Sequence, residues 1–174
     1  MLQERGNLLE SRAMSTDPLL ELLRSKARHT HEELAELLAM SEQAVSAKIA
    51  AWEKDGIILG YHAVVNAERA GDLNVQAFIE VKVTPERGGG FDRLALRIAR
   101  FDQVVSCYLA SGGYDLMVVV EGTDLREVAR FVSERLSTLD GVLSTATHFL
   151  LKTYKQNGFL FEGEGGVERL VVSP

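Results

Sequence analysis

The stretch from Thr30 to His62, THEELAELLAMSEQAVSAKIAAWEKDGIILGYH, constrains this chain more than any other. Two short helical patterns flank a tight break at Leu38-Ala39-Met40-Ser41. Thr30 and Glu33 have capping-box spacing: the hydroxyl takes an orphan N–H three residues on, and the carboxylate reaches back. Leu34, Leu37 and Leu38 mark one apolar stripe, with small Ala35 available for close helix contact. Ser41 can cap a second helix in which Val45, Ile49 and Trp52 recur at spacings of four and three. Lys54-Asp55-Gly56 closes it, with Gly56 where a helix often turns left-handed. Helices joined by a turn of about four residues are the helix-turn-helix pattern, whose second helix enters the DNA major groove. An ordinary helical hairpin in a small bundle fits the same stretch taken alone.

The rest of the chain sets the limits. Its 174 residues can hold one large or two small domains. A hydrophobic content of 46% with 25% charged residues is that of a globular chain. No apolar run approaches the roughly 20 residues of a membrane helix, and MLQERGNLLESRAM lacks a signal core. A single cysteine, Cys107, excludes an internal disulfide and reads as a small strand residue in a reduced, cytoplasmic setting. The net charge is −6, and residues 1–60 carry seven Lys/Arg against ten Asp/Glu, a net of −3. DNA affinity rests mainly on neutralised phosphates, so binding by this chain must come from local arrangement and from dimerisation.

In chain order, residues 1–16 form a tail without clean period, with Met14 a candidate alternative start. Asp17-Pro18 opens a helix running to about Lys26, the third wall of a small helical core spanning 17–62. Arg24, Lys26, Arg28 and His29 gather near its end, as a solvated terminus or as DNA-backbone contacts. Ile57 to Val65 is extended and β-branched and predicts a strand leaving the helical unit. The NAERAGDLN segment, Asn66 to Asn74, reads as a polar linker, so 63–74 is strand and linker.

Periodicity then changes. Val75, Ala77, Ile79, Val81 and Val83 alternate with Gln76, Phe78, Glu80 and Lys82, predicting a half-buried strand. TPERGGG is a flexible turn without P-loop lysine or dinucleotide spacing. Phe91, Leu94, Ala95 and Ile98 predict a helix with Arg93, Arg97 and Arg100 outward. Val104–Ala110 and Leu116–Glu121 are strands about the turn Ser111-Gly112-Gly113-Tyr114-Asp115, and Leu125, Val128, Ala129, Val132 and Leu136 line a second helix. Val142–Lys152 is the last strand. The order β-α-β-β-α-β over 75–155 predicts a ferredoxin-like domain, so the fold class is α+β. Apolar residues on both faces of its first strand predict a dimer that stacks sheet on sheet. Residues 156–174 read as a C-terminal tail, in which VERLVVSP is either a short edge strand or arm, or disordered.

Together these features resemble the Lrp/AsnC, or feast/famine, family of transcriptional regulators. The resemblance covers roughly Leu19 to Tyr154. It is carried by the helix-turn-helix with Ser41 opening its second helix, by Gly56-Ile57-Ile58-Leu59-Gly60-Tyr61, by Ser111-Gly112-Gly113-Tyr114-Asp115 and by Leu139-Asp140-Gly141-Val142 leading to Thr145 and Thr147. It implies a winged-helix-like N-terminal DNA-binding domain and a C-terminal domain that dimerises and binds a small effector, usually an amino acid, between dimers. Homodimers then assemble to tetramers or octamers. Carried across by residue, Ser41, Gln43, Ala44, Ser46 and Lys48 would read DNA, glutamine being able to pair adenine. Gly112, Gly113, Tyr114, Asp115, Thr145 and Thr147 would hold the effector. Glycine N–H groups suit its carboxylate and Asp115 its ammonium. The same turn also makes sense as a plain hairpin in which Asp115 bonds its own backbone.

The departures concern DNA. The second helix offers Lys48 alone where arginine is usual, Ala39 stands where a turn glycine is usual, and Glu32, Glu33, Glu36 and Glu42 surround the motif. The binding expected is weak, salt-sensitive and dependent on oligomerisation. Two alternatives stand beside it: a ligand-sensing or assembly module that has lost direct DNA binding, and an enzyme resembling the siroheme decarboxylases. His29, His31, His62 and His148 lack metal spacing, His148 reading as a packed or interface residue. No nucleophile–base pair is assignable either, so no catalysis, metal or cofactor is expected.

Overall fold

The computed structural model describes residues 17–161 apart from 73 and 86–89. The N-terminal tail and the VERLVVSP segment lie outside the described residues. The chain divides into two compact units, with the break between Ala63 and Val64.

In the first unit, α1 (Pro18–Ser25), α2 (His31–Leu38) and α3 (Glu42–Lys54) each begin at a side-chain cap. Asp17 Oδ1 accepts the Leu19 N–H at 3.0 Å. Thr30 and Glu33 form the full capping box, at 3.1 Å to the hydroxyl and 3.0 Å to the carboxylate. Ser41 Oγ accepts the Ala44 N–H at 3.2 Å. Each oxygen satisfies an N–H that has no partner within its own helix. Leu19, Leu23, Leu34, Ala35, Val45 and Ile49 form the core, with Trp52 and Ile58 packed at its margin. Leu37 departs from the expected stripe and is 61% exposed. The contact of α2 is centred between Leu34 and Ala35; Leu37 lies about 60° beyond Leu34 on the side away from Ala35, about 160° from Ala35, and so turns out of the core.

The strand expected over Ile57–Val65 is not formed. Ile57 and Ile58 donate their N–H groups to the Trp52 carbonyl at 2.9 and 3.1 Å, closing α3. Residues 58–66 then run without ladder partners, and Leu59 is 94% exposed. The linker holds a short helix, α4 (Ala67–Ala70), between an Asn66 cap and left-handed Gly71.

The second unit holds β1 (Val75–Val83), α5 (Asp92–Ile98), β2 (Val104–Leu109), β3 (Leu116–Gly122), α6 (Leu125–Phe131), which runs on into a π turn (Val132–Leu136), and β4 (Val142–Phe149). The sheet order is β2-β3-β1-β4 with every described pair antiparallel, the ferredoxin-like arrangement expected. Ala77, Ile79 and Val81 pair beside Val120, Val118 and Leu116, and all six are fully buried under α5 and α6. Leu125 and Ala129, expected inside, are exposed. Phe131 takes the inward place and meets Phe101 edge-on at 5.4 Å. The other sheet face carries Phe78, Val119, Met117 and Tyr108 without a covering element among the described residues.

The tail expected from Gln156 begins instead as a hairpin, β5 (Lys155–Gln156) and β6 (Phe159–Leu160). Its turn is Asn157-Gly158, with φ of 48° and 89°. Left-handed Asn-Gly is the pair that a two-residue hairpin loop demands.

Candidate DNA-reading helix and effector turn

Along α3 the buried Val45 and Ile49 face the core, so the opposite surface carries Gln43, Ala47, Ala50 and Lys54, at spacings of four, three and four. Gln43, Ala44 and Ser46 are exposed, as a reader of base edges must be. Ser41 is exposed too, but its hydroxyl serves as the cap of α3.

Lys48 is placed differently. It follows Val45 by three residues and precedes Trp52 by four, on the flank of the buried stripe. Its ammonium is paired with Asp17 and lies 5.4 Å from the Trp52 ring centroid. The Asp17 carboxyl is held below the usual carboxylate range, first by Lys48 and then, against the opposing effect of desolvation, by the Leu19 N–H. The expected free cation of the reading helix is thus engaged within its own unit. Among the described cations nearby, Arg24 pairs with Glu21 at 3.3 Å and His29 with Glu33 at 3.1 Å. The Glu33 carboxyl is likewise depressed, by the Thr30 N–H first and then by His29. Lys54 is exposed and has no ion pair among the described residues. In the sequence Lys54 marks the helix end, and its spacing of eleven from Gln43 is the signal that places it on the outer stripe.

The turn after β2 is anchored by backbone. The Asp115 N–H donates to the Val81 carbonyl at 3.0 Å, and Asp115 Oδ2 accepts the Val83 N–H at 2.8 Å. One carboxylate oxygen of Asp115 is thus bonded to backbone, but to that of β1 and not to its own turn as the plain-hairpin reading expects. Gly112 has φ 140°, and a Cβ at Gly112 or Gly113 would meet nothing within 4 Å, so this backbone faces open space. Thr145 and Thr147 lie opposite Val81 and Ile79 on β4, on the helix-covered side of the sheet. Thr145 and Ser137 share a hydroxyl–hydroxyl bond of 3.1 Å. Since β1 stands between β3 and β4, the turn and these threonines are not adjacent along the sheet within one chain. His148 is not packed in the chain: it is 58% exposed and pairs with Glu80 at 3.3 Å on the uncovered face. Among the described residues no three His, Cys, Asp or Glu side chains converge to hold a metal ion, and no helix is long and apolar enough to cross a membrane.

The family model of the Lrp/AsnC ligand binding domain matches residues 76–160, and that of a winged helix-turn-helix DNA-binding domain matches residues 19–58. The HTH-type transcriptional regulator YugG of Bacillus subtilis is 46% identical over 157 residues, which is 90% of this chain and 95% of that one. The chain belongs to the Lrp/AsnC family of transcriptional regulators. Another relative, the proline dehydrogenase transcriptional activator of Rhodobacter capsulatus, is 29% identical, covering 77% of this chain and 86% of its own. Among solved structures, the L-Met complex of a transcriptional regulator from Neisseria meningitidis aligns with a TM-score of 0.64 at 28% identity, covering 79% of this chain and 88% of that one. In this Lrp/AsnC chain the DNA-binding domain therefore holds α1 to α3, and the ligand-binding domain is the sheet with its helices and the β5–β6 hairpin.

Proposed function

We propose that this regulator binds DNA as a dimer or higher oligomer through α3, with residues 17–62 reading DNA and the sheet domain, residues 75–155, gathering protomers and taking an amino acid effector in the cytoplasm. The observation that carries the reading is the union, in one chain, of an outward-facing reading helix and a sheet domain with an open glycine turn. One DNA-reading domain with so few unpaired cations has little electrostatic affinity, so several must act together. Gln43, Ala44 and Ser46 are the base-edge candidates, with Ser41 holding the helix start. The uncovered face around Phe78 supports sheet-on-sheet dimerisation, and further association of dimers to tetramers or octamers follows the family pattern.

For the effector, the Neisseria regulator's L-Met complex supports an amino acid. Gly112 and Gly113 offer N–H groups to a carboxylate, Tyr114 walls the turn, and the second Asp115 oxygen is available to an ammonium. Thr145 and Thr147 belong to the same pocket when it is completed across an interface between dimers. A thermal-shift screen of the twenty amino acids tests this, because a ligand of the folded state raises its stability by mass action. Gel retardation of the chain's own upstream DNA at low salt tests the rest: no shift at micromolar protein, with or without the amino acid found, overturns it. The engagement of Lys48 and the acidic surface favour a second reading, in which the helical domain meets a protein; it predicts pull-down of a partner by the chain in the absence of DNA.

A further inference from the structure

We propose that Lys48 is a positioning residue, clamping the reading helix to the start of α1 through Asp17, and that Lys54 is the cation this helix presents to the DNA backbone. The proposal rests on the DNA-binding reading of the first unit and names how its second helix is held and what it offers. Asp17 uses both carboxylate oxygens structurally: Oδ1 caps α1 through the Leu19 N–H at 3.0 Å, and Oδ2 takes the Lys48 ammonium. One side chain thereby joins the first turn of α1 to the middle of α3. The Lys48 ammonium also stands over the Trp52 ring, 5.4 Å from its centroid. Trp52 is itself tied to the helix exit, its carbonyl accepting the Ile57 and Ile58 N–H groups. An ammonium held by a carboxylate and an aromatic face gains nothing by swinging out to a screened phosphate, and its departure would leave the half-buried Asp17 uncompensated.

Lys54 has the opposite surroundings. It stands on the stripe of Gln43, Ala47 and Ala50, the face turned away from Val45 and Ile49, and it is exposed. Eleven residues separate it from Gln43, roughly 16 Å along the axis, against a major groove about 12 Å wide. A helix whose Gln43 end meets base edges therefore brings Lys54 to the phosphates at the groove wall. Ala47 and Ala50 between them let the helix backbone approach closely.

The test is the salt dependence of binding to upstream DNA by the full chain and its variants. Lys54→Gln should lessen the slope of log affinity against log salt by about 1. Asp17→Asn keeps a good cap on α1, so it removes the clamp selectively. It should weaken binding by one factor at every salt concentration and leave the slope unchanged, and Lys48→Gln should do the same. The double variant should bind no more weakly than the weaker single one, because either change already opens the clamp. Tighter binding by Asp17→Asn with a steeper slope overturns the proposal, since Lys48 would then be a phosphate contact that Asp17 masks. An unchanged slope in Lys54→Gln overturns the second half. Should the unaltered chain bind no DNA at low salt, the DNA-binding reading and the Lys54 assignment fall together. The clamp is then decided by melting, where additive losses from Asp17→Asn and Lys48→Gln would refute it.

Discussion

Ala39 stands at φ 52° and ψ 42° in the turn between α2 and α3, a left-handed conformation that places its Cβ against the carbonyl ahead. The turn holds because the Ala39 and Met40 N–H groups both return to the Ala35 carbonyl, capping α2. Ala39→Gly relieves the strain while adding backbone freedom to the unfolded chain, and it should stabilise the first unit by up to about 1 kcal/mol. Denaturant unfolding would measure this, and a loss of stability would show that the turn is not strained. Charge at the same scale governs the response to acid. Asp17, Glu33 and Glu127 all have carboxyls lowered by hydrogen bonds made only in the fold, led by Lys48, by the Thr30 N–H and by the Thr123 N–H respectively. A lowered folded pKa contributes stability above the unfolded value that is lost as pH falls through the folded one. Stability should therefore drop below about pH 4, and Asp17→Asn should make that drop shallower in acid titration followed by circular dichroism.

Each element rests on local chemistry that a substitution can remove. Thr30→Ala breaks the capping box of α2 and should cost about 1 kcal/mol in thermal unfolding. In the effector turn, Asp115 closes the β2–β3 hairpin onto β1 through the Val83 N–H at 2.8 Å. Asp115→Ala leaves that N–H without its partner and should destabilise the sheet domain by about 1–2 kcal/mol even with no ligand present. Unchanged stability in the ligand-free protein would mean that Asp115 serves binding alone. The Asn157-Gly158 hairpin is marked in the sequence only by its turn: two left-handed residues define it, and strands of two residues each are too short to show an alternation.

Across the whole molecule the sheet domain is the proposed platform that gathers the DNA-binding domains. Its helix-covered face is sealed, while Phe78 on the central strand is 37% exposed beside Val119 and His148. Phe78→Glu places a charge on that face without entering the core. Under the proposed assembly it should reduce solution mass to that of a monomer, keep secondary structure and abolish retardation of DNA, as light scattering and gel shifts would report. A variant that keeps the wild-type mass would place the dimer contact elsewhere.

The sequence by itself determined the caps at Asp17, Thr30 and Ser41, the change of period between the units, and the β-α-β-β-α-β order, because these depend on neighbours a few residues away or on the alternation of one strand. Tertiary structure alone decided that Leu37 and Leu125 face water, that Ile57–Val65 finds no strand partner among the described residues, and that Lys48 is engaged by Asp17. A spacing tells which residues share a stripe, but only packing settles which edge of the stripe is covered. An ion pair between residues 17 and 48 exists only once α1 and α3 meet.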